Sequence, residues 1–324
     1  MISAVSSGGT LQFSERQLWF EFHRRKVPQV NMRVTMFVLA GVCVPTAIVL
    51  AAVGSPAFAA LATLGAIGCG VRGALTSASP QRLVRISFEA FHDLYVATWV
   101  HTHGKIAGML DEPKPRTGAT SPASADLLNY SFDRAIVTDD QELARVLVAN
   151  NFHFENNCAI LSYDGYPAHN RTTIMTMLRK NPTLNVFTVH AASIKGCMLP
   201  HMMRTSDWFA DCPDMRIIDL GLRPKHAIKG KMFSSVPERT GVPPTLAALE
   251  PDEVKWLETG YKCEIFNMRS ARLLKSIYKG MNAARLRDSA GSSDDGVVYV
   301  GSNSGGDYWG DTSSSDLGAP DSFG

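Results

Sequence analysis

The sequence predicts an α/β protein in three parts: an N-terminal transmembrane helical hairpin, a parallel-sheet domain and a disordered acidic tail. Three observations predict it. Not one charged residue lies between Arg33 and Arg72. From about Tyr130, short apolar runs alternate with helical patterns. From Asp288 onward there are seven Asp and neither Lys nor Arg, so the formal net charge of +2 hides about +9 upstream. A chain of 324 residues can bury one or two cores. Its near-neutral total carries no general polyanion-binding signature.

Residues 1–32 read as an interfacial segment. FSERQLWFEFHRRKVPQV sets Leu18, Trp19, Phe20 and Phe22 among basic residues, the pattern of a helix whose aromatics dip into headgroups. Ser14, three residues before Gln17, supplies a capping box for its start.

Residues 33–76 read as the hairpin, because a span needs about 20 residues and this charge-free window holds two. Val34–Val53 forms the first helix and Pro56 to about Leu75 the second, with Gly54-Ser55-Pro56 as the turn. The small residues of LATLGAIGCG suit close helix packing and an oligomer through that face. Arg24, Arg25, Lys26 and Arg33 precede the pair, and Arg72, Arg82 and Arg85 follow it. This predicts a two-span membrane protein with both termini cytoplasmic. A signal peptide, with RRK as its basic start and Ala57-Phe58-Ala59 as its cleavage box, is the weaker reading, since the apolar stretch runs well past that box.

Residues 77–129 read as a helix to about Leu110 and then a linker, DEPKPRTGATSPASAD. His101 and His103 are two apart and diverge on a helix, so they do not converge on one metal ion.

Residues 130–287 hold strand candidates at 134–140, 157–165, 184–190 and 215–222, separated by helical QELARVLVANN, HNRTTIMTMLRKN and a helix from about Lys195 to Phe209. That alternation indicates a Rossmann-like parallel sheet. Polar residues gather at the strand ends, where such sheets place their sites: Asp139 and Asp140, Asp164, His190 and Arg223. Beyond Gly241, Glu250-Pro251-Asp252-Glu253 is a helix start. The tail, 288–324, is too polar to offset its ordering entropy and reads as a solubilising segment, a docking motif around Tyr308 and Trp309 being the weaker reading.

No G-x-G-x-x-G follows the first strand, and neither a P-loop nor a G-x-S-x-G elbow is present. The six cysteines make no C-x-x-C pair and read as reduced thiols.

A succession of motifs carries a resemblance. AIVTDDQELARVLVANNF, CAILSYDGYPAHNRTTIMTML, LNVFTVHAASIKG, IIDLGLRPKHA and PDEVKWLETGYKCEI follow one another over about 132–264. In order and spacing they resemble the Toprim domain of the DNA topoisomerase VI A subunit family and its meiotic break-forming relatives. The resemblance implies an acid at the first strand end, matched by Asp139 or Asp140, and an Asp-x-Asp after the third strand. Those two positions fall on Ala191 and Ser193. A Mg²⁺ site needs hard oxygen ligands, so it loses two of its three carboxylates. No tyrosine in an Arg-rich helical setting precedes the domain to act as nucleophile.

The expected function is therefore a membrane-anchored, non-catalytic Toprim-like module without a cofactor. It would bind a protein, a nucleotide or nucleic acid, through Arg171, His190, Ser193, Lys195 and Arg223, with Lys225 adding charge. A first alternative is a Mg²⁺-dependent nuclease or phosphoryl-transfer enzyme using Asp139, Asp140 and Asp164, with Asp219 reading as structural inside its strand. A second is a structural membrane component.

Overall fold

The computed structural model describes residues 1–27, 32–54, 56–75, 82–111, 132–166, 174–179, 184–206, 215–235, 238, 241–243, 246, 249–289, 297–299 and 309. The chain divides into two compact units, residues 26–82 and all the rest.

The larger unit is built on a five-stranded sheet: β2 (Arg134–Thr138), β3 (Cys158–Ser162), β4 (Asn185–Val189), β5 (Arg216–Asp219) and β7 (Val297–Tyr299). All pairings are parallel, in the order β3-β2-β4-β5-β7, and Arg134 of β2 faces Cys158 on one side and Asn185 on the other. The central strands are apolar runs because both faces are covered. One face, with Ala135, Val137, Leu161, Val186 and Ile217, packs on Ile174, Leu178, Leu199 and Met203. Against β2 and β3 lies α7 (Gln141–Ala149), followed by the short α8 (Phe152–Glu155) beside β3.

Four strands stand where the apolar runs predict them. The single helix expected at about 195–209 is two short ones, α9 (Ile194–Cys197) and α10 (Leu199–Thr205). The short α11 (Pro224–Lys229) packs on α12 (Pro251–Glu258), which the Pro251 start opens and which is followed by a 3₁₀ turn (Ile265–Asn267) and α13 (Ser270–Ser289).

The expectation of an unstructured tail needs correcting. Val297, Val298 and Tyr299 add the fifth strand beside β5, because β-branched and aromatic residues suit an open parallel edge. Trp309 is buried, and its carbonyl accepts from Arg272 Nη2 at 3.2 Å. The predicted linker lies outside the described residues beyond Asp111. The helix expected up to Leu110 is shorter. It comprises α5 (Phe88–Phe91), a π-helical turn (His92–Ala97) and α6 (Thr98–His103), and Gly104 stops it at φ 80°. Residues upstream of it form β1 (Arg82–Leu83), paired with β6 (Phe233–Ser234).

The N-terminal segment also departs from expectation. Beyond the four-residue α1 (Ile2–Val5) lies α2 (Glu15–Lys26), which is part of the sheet unit rather than an interfacial helix. Its aromatics are buried, not presented to headgroups. Trp19 Nε1 donates to the Ile86 carbonyl at 3.0 Å, and the Glu21 carboxylate is buried against Arg24, Arg25 and Arg269. The Ser14–Gln17 capping box forms in both directions: Gln17 N–H donates to Ser14 Oγ and Ser14 N–H to Gln17 Oε1. Gln12 and Asn150 exchange two further bonds, fastening this segment to the end of α7.

The smaller unit is a helical hairpin, α3 (Met32–Ala52) and α4 (Pro56–Leu75), packed through small residues such as Ala47 and Ala66. Among the described residues no helix is long and apolar enough to cross a membrane. The two-span reading and its cytoplasmic termini are therefore withdrawn. A charge-free run is not necessarily a strongly apolar one. Half of α4 is Ala or Gly, Arg72 stands in its last turn, and α3 carries Pro45 inside its continuous run.

Candidate functional site

The strand order places the reversal of sheet winding between β2 and β4, so the crevice at their C-terminal ends is the natural ligand position. Every group there can be followed from its strand. Asp140, just beyond β2, accepts the Glu142 N–H at 2.7 Å and caps α7. Its neighbour Asp139 turns toward β4 and accepts the Ala191 N–H on Oδ2 at 3.0 Å. The other oxygen, Oδ1, is shielded from solvent without a hydrogen-bond partner. Burial pushes the Asp139 carboxyl above its ordinary range, against the pull of His190 and the Ala191 amide.

The first residue after β4, His190, points inward. Its Nδ1–H donates to the Ala191 carbonyl at 2.8 Å, and Nε2 stands 3.1 Å from Asp219 Oδ1. The Asp219 contact is a charge contact off the hydrogen-bonding line. Asp219 Oδ1 also accepts the Thr188 hydroxyl at 2.8 Å and the Gly221 N–H at 3.0 Å. Burial alone would depress the imidazole, but Asp219 and then Asp139 outweigh it and raise it to about 9. Asp219 is displaced the other way, since His190 and its two donors overcome the desolvation that would raise it.

Two glycines make room for this pair. A Cβ at Gly221 would lie 2.0 Å from His190 Nε2, and one at Gly196 would lie 2.2 Å from the Ala191 carbonyl oxygen. Both positions are close approaches that any side chain would block.

The remaining loop atoms are also engaged. Ala192 exchanges both backbone bonds with Cys263, at 3.0 and 2.9 Å. Ser193 Oγ accepts the Gly196 N–H at 3.0 Å and caps α9. The Ala192 bridge brings the next residue after Cys263, Glu264, to the crevice. From α2, Arg16 reaches the same place: Nε is 3.0 Å from Glu142, and Nη1 is 3.3 Å from Glu264 and 3.7 Å from Asp140. Its guanidinium lies 5.7 Å from the Phe88 ring centre and 5.8 Å from that of Phe266. Burial raises Glu142 and Glu264, and Arg16 restrains both.

The structure brings together Asp139, Asp140, His190 and Ser193, but not as an exposed binding surface. His190 is fully buried, a correction to its expected ligand role, because Asp219 and Gly221 draw the ring under the loop. Arg223 is likewise no solvent-facing cation. It is buried in an ion pair with Glu253, whose carboxylate also accepts the Glu250 and Lys225 N–H groups. Lys195 is exposed on α9, Asp164 is exposed in the turn after β3, and Arg171 lies outside the described residues. Among the described residues no three His, Cys, Asp or Glu side chains stand close enough to hold a metal ion.

Sequence reasoning missed Arg16, Glu142 and Glu264, because two of the three reach the crevice from elements remote in sequence. One signal was readable: the glycine two residues beyond Asp219 marks a close approach. Compared with family models, curated proteins and solved structures, the chain matches none.

Proposed function

We propose that the sheet unit is a non-catalytic, Toprim-like module that acts by binding a protein partner. The observation that carries this reading is the state of the loop after β4. Ala191 and Ser193 stand where the resemblance calls for acids, and the loop's polar atoms are spent internally on Asp139, Cys263 and the α9 cap. Of the two acids that can match the family pattern, Asp139 holds the Ala191 amide and Asp140 caps α7. One engaged carboxylate makes a poor divalent-cation site.

Among the ligand classes, a protein suits the crevice better than a nucleotide or nucleic acid. Asp139, Asp140, Glu142 and Glu264 line it, while the nearby cations Arg16 and Arg223 are committed to carboxylates. A phosphate would meet net negative charge there.

The test is a calorimetric titration of the full chain with Mg²⁺ and Mn²⁺, joined to incubation with single- and double-stranded DNA and RNA. Neither saturable metal binding nor cleavage is expected. Cleavage abolished by a chelator would reject the non-catalytic reading, and saturable nucleic-acid binding would reject the protein ligand.

A further inference from the structure

The Arg16 contacts are of a different kind from an ordinary surface ion pair. Three carboxylates from two parts of the chain meet one guanidinium: Asp140 and Glu142 at the junction of β2 and α7, and Glu264 behind the Cys263 bridge. Two aromatic rings, Phe88 from α5 and Phe266 from the 3₁₀ turn, lie within the range at which a ring face attracts a cation. A divalent metal ion has little use for aromatic faces and asks for a compact shell of oxygens. A planar, delocalised, weakly hydrated cation uses both features, with forked N–H groups on carboxylates and its faces on rings. The site is also held from behind, because Gln17, one residue along α2, donates to the Met268 carbonyl at 2.8 Å and shares Ser270 with Gln12.

From this geometry we infer that the crevice at the ends of β2 and β4 is a guanidinium-binding site, which the chain fills in cis with Arg16. The N-terminal segment thus caps the ligand position of the sheet with its own residue. Arg16 is about one-third exposed, as are Asp140 and Glu264, so a guanidinium from solution can reach the place it occupies. Burial lowers the Arg16 pKa, but Glu264, Glu142 and Asp140 more than compensate, leaving a permanent cation. The inference deepens the binding-module reading and rests on the same crevice, yet the two fail separately. Metal-dependent cleavage by the wild type would remove the first, while the test below concerns only what Arg16 occupies.

Chemical rescue in the full chain tests it. Arg16→Ala should melt at a lower temperature than wild type and recover on addition of millimolar methylguanidinium, a cation that leaves the wild-type melt unchanged. Methylammonium and Mn²⁺ should rescue at least about tenfold less effectively at equal concentration. Should Arg16→Ala fail to fold, the same additions are made during refolding, and recovery with methylguanidinium alone supports the site. Arg16→Lys keeps the charge but not the plane, so it should remain destabilised and respond only weakly. Rescue by Mn²⁺ equal to that by methylguanidinium, no rescue by either, or a lysine variant as stable as wild type would each overturn the proposal.

Discussion

His190 and His23 are both completely shielded from solvent, yet the fold drives them to opposite charge states. In the crevice, His190 lies against Asp219 and near Asp139, and its pKa rises to about 9. In the N-terminal helix, His23 meets neutral backbone and the uncharged rings of Trp19, Phe22 and Phe233. Its Nδ1–H donates to the Trp19 carbonyl, while Nε2 accepts the Arg85 and Ile86 N–H groups at 3.2 Å each. Burial therefore prevails there and the pKa falls. Burial sets the default for a histidine, and one carboxylate within about 3 Å reverses it. The difference separates a crevice arranged around charge from a packing face arranged around backbone satisfaction.

The sharpest way to break the comparison is Asp219→Asn, which leaves the His190 cation without its partner. Loss of one member of a buried pair typically costs about 3–5 kcal/mol. Urea denaturation should show that loss, and an NMR titration should find His190 at or below its ordinary 6.5. An unmoved His190 would show that Asp139 alone sustains the shift.

Next in size is Gly221→Ala. The new methyl would lie 2.0 to 2.3 Å from three atoms of the His190 ring, well inside van der Waals contact, so the ring must shift, and overpacking costs at least about 1–3 kcal/mol. Combining it with His190→Ala should recover part of the loss, and strict additivity in the cycle would argue against the contact.

On the other side of the comparison, His23→Ala strands the Arg85 and Ile86 amides, worth about 1–3 kcal/mol. Hydrogen exchange should speed up at those two amides while the sheet strands remain protected. Uniformly faster exchange would show that His23 supports the whole unit instead.

The pH profile reads both histidines at once. A raised folded-state pKa means that His190 contributes fully below pH 6.5 and loses that contribution as pH climbs to about 9. The depressed pKa of His23 works in reverse, with its contribution present above pH 6.5 and lost as pH falls. Asp219, also depressed, adds an acid-side loss below its ordinary 3.8. Thermal melts from pH 5 to 9 should decline at both ends, and Asp219→Asn should flatten the alkaline side. An alkaline decline that persists in Asp219→Asn would have to come from another group.

Much of the sheet was legible residue by residue. The runs at 134–140, 157–165, 184–190 and 215–222 are apolar because parallel strands are buried on both faces, and each yields a strand. The Ser14–Gln17 box and the Pro251 start were also legible, since capping is a local interaction. The stretch from Val34 to Val71 misled because absence of charge was read as membrane-spanning apolarity. Val297–Tyr299 misled in the opposite sense. Three strand-forming residues in a polar tail carry no weight until an existing edge offers them partners.

The sequence by itself determined the α/β alternation and the local helix starts at Ser14 and Pro251. It also determined that Ala191 and Ser193 bring no charge to the strand ends. Only the tertiary structure decided which charges meet there. Strand order put β2 beside β4, folding back of the N-terminal helix delivered Arg16, and the Cys263 bridge delivered Glu264. The reason is physical: capping and periodicity act within one turn or one strand, whereas charge contacts depend on distances that are fixed only when remote segments pack.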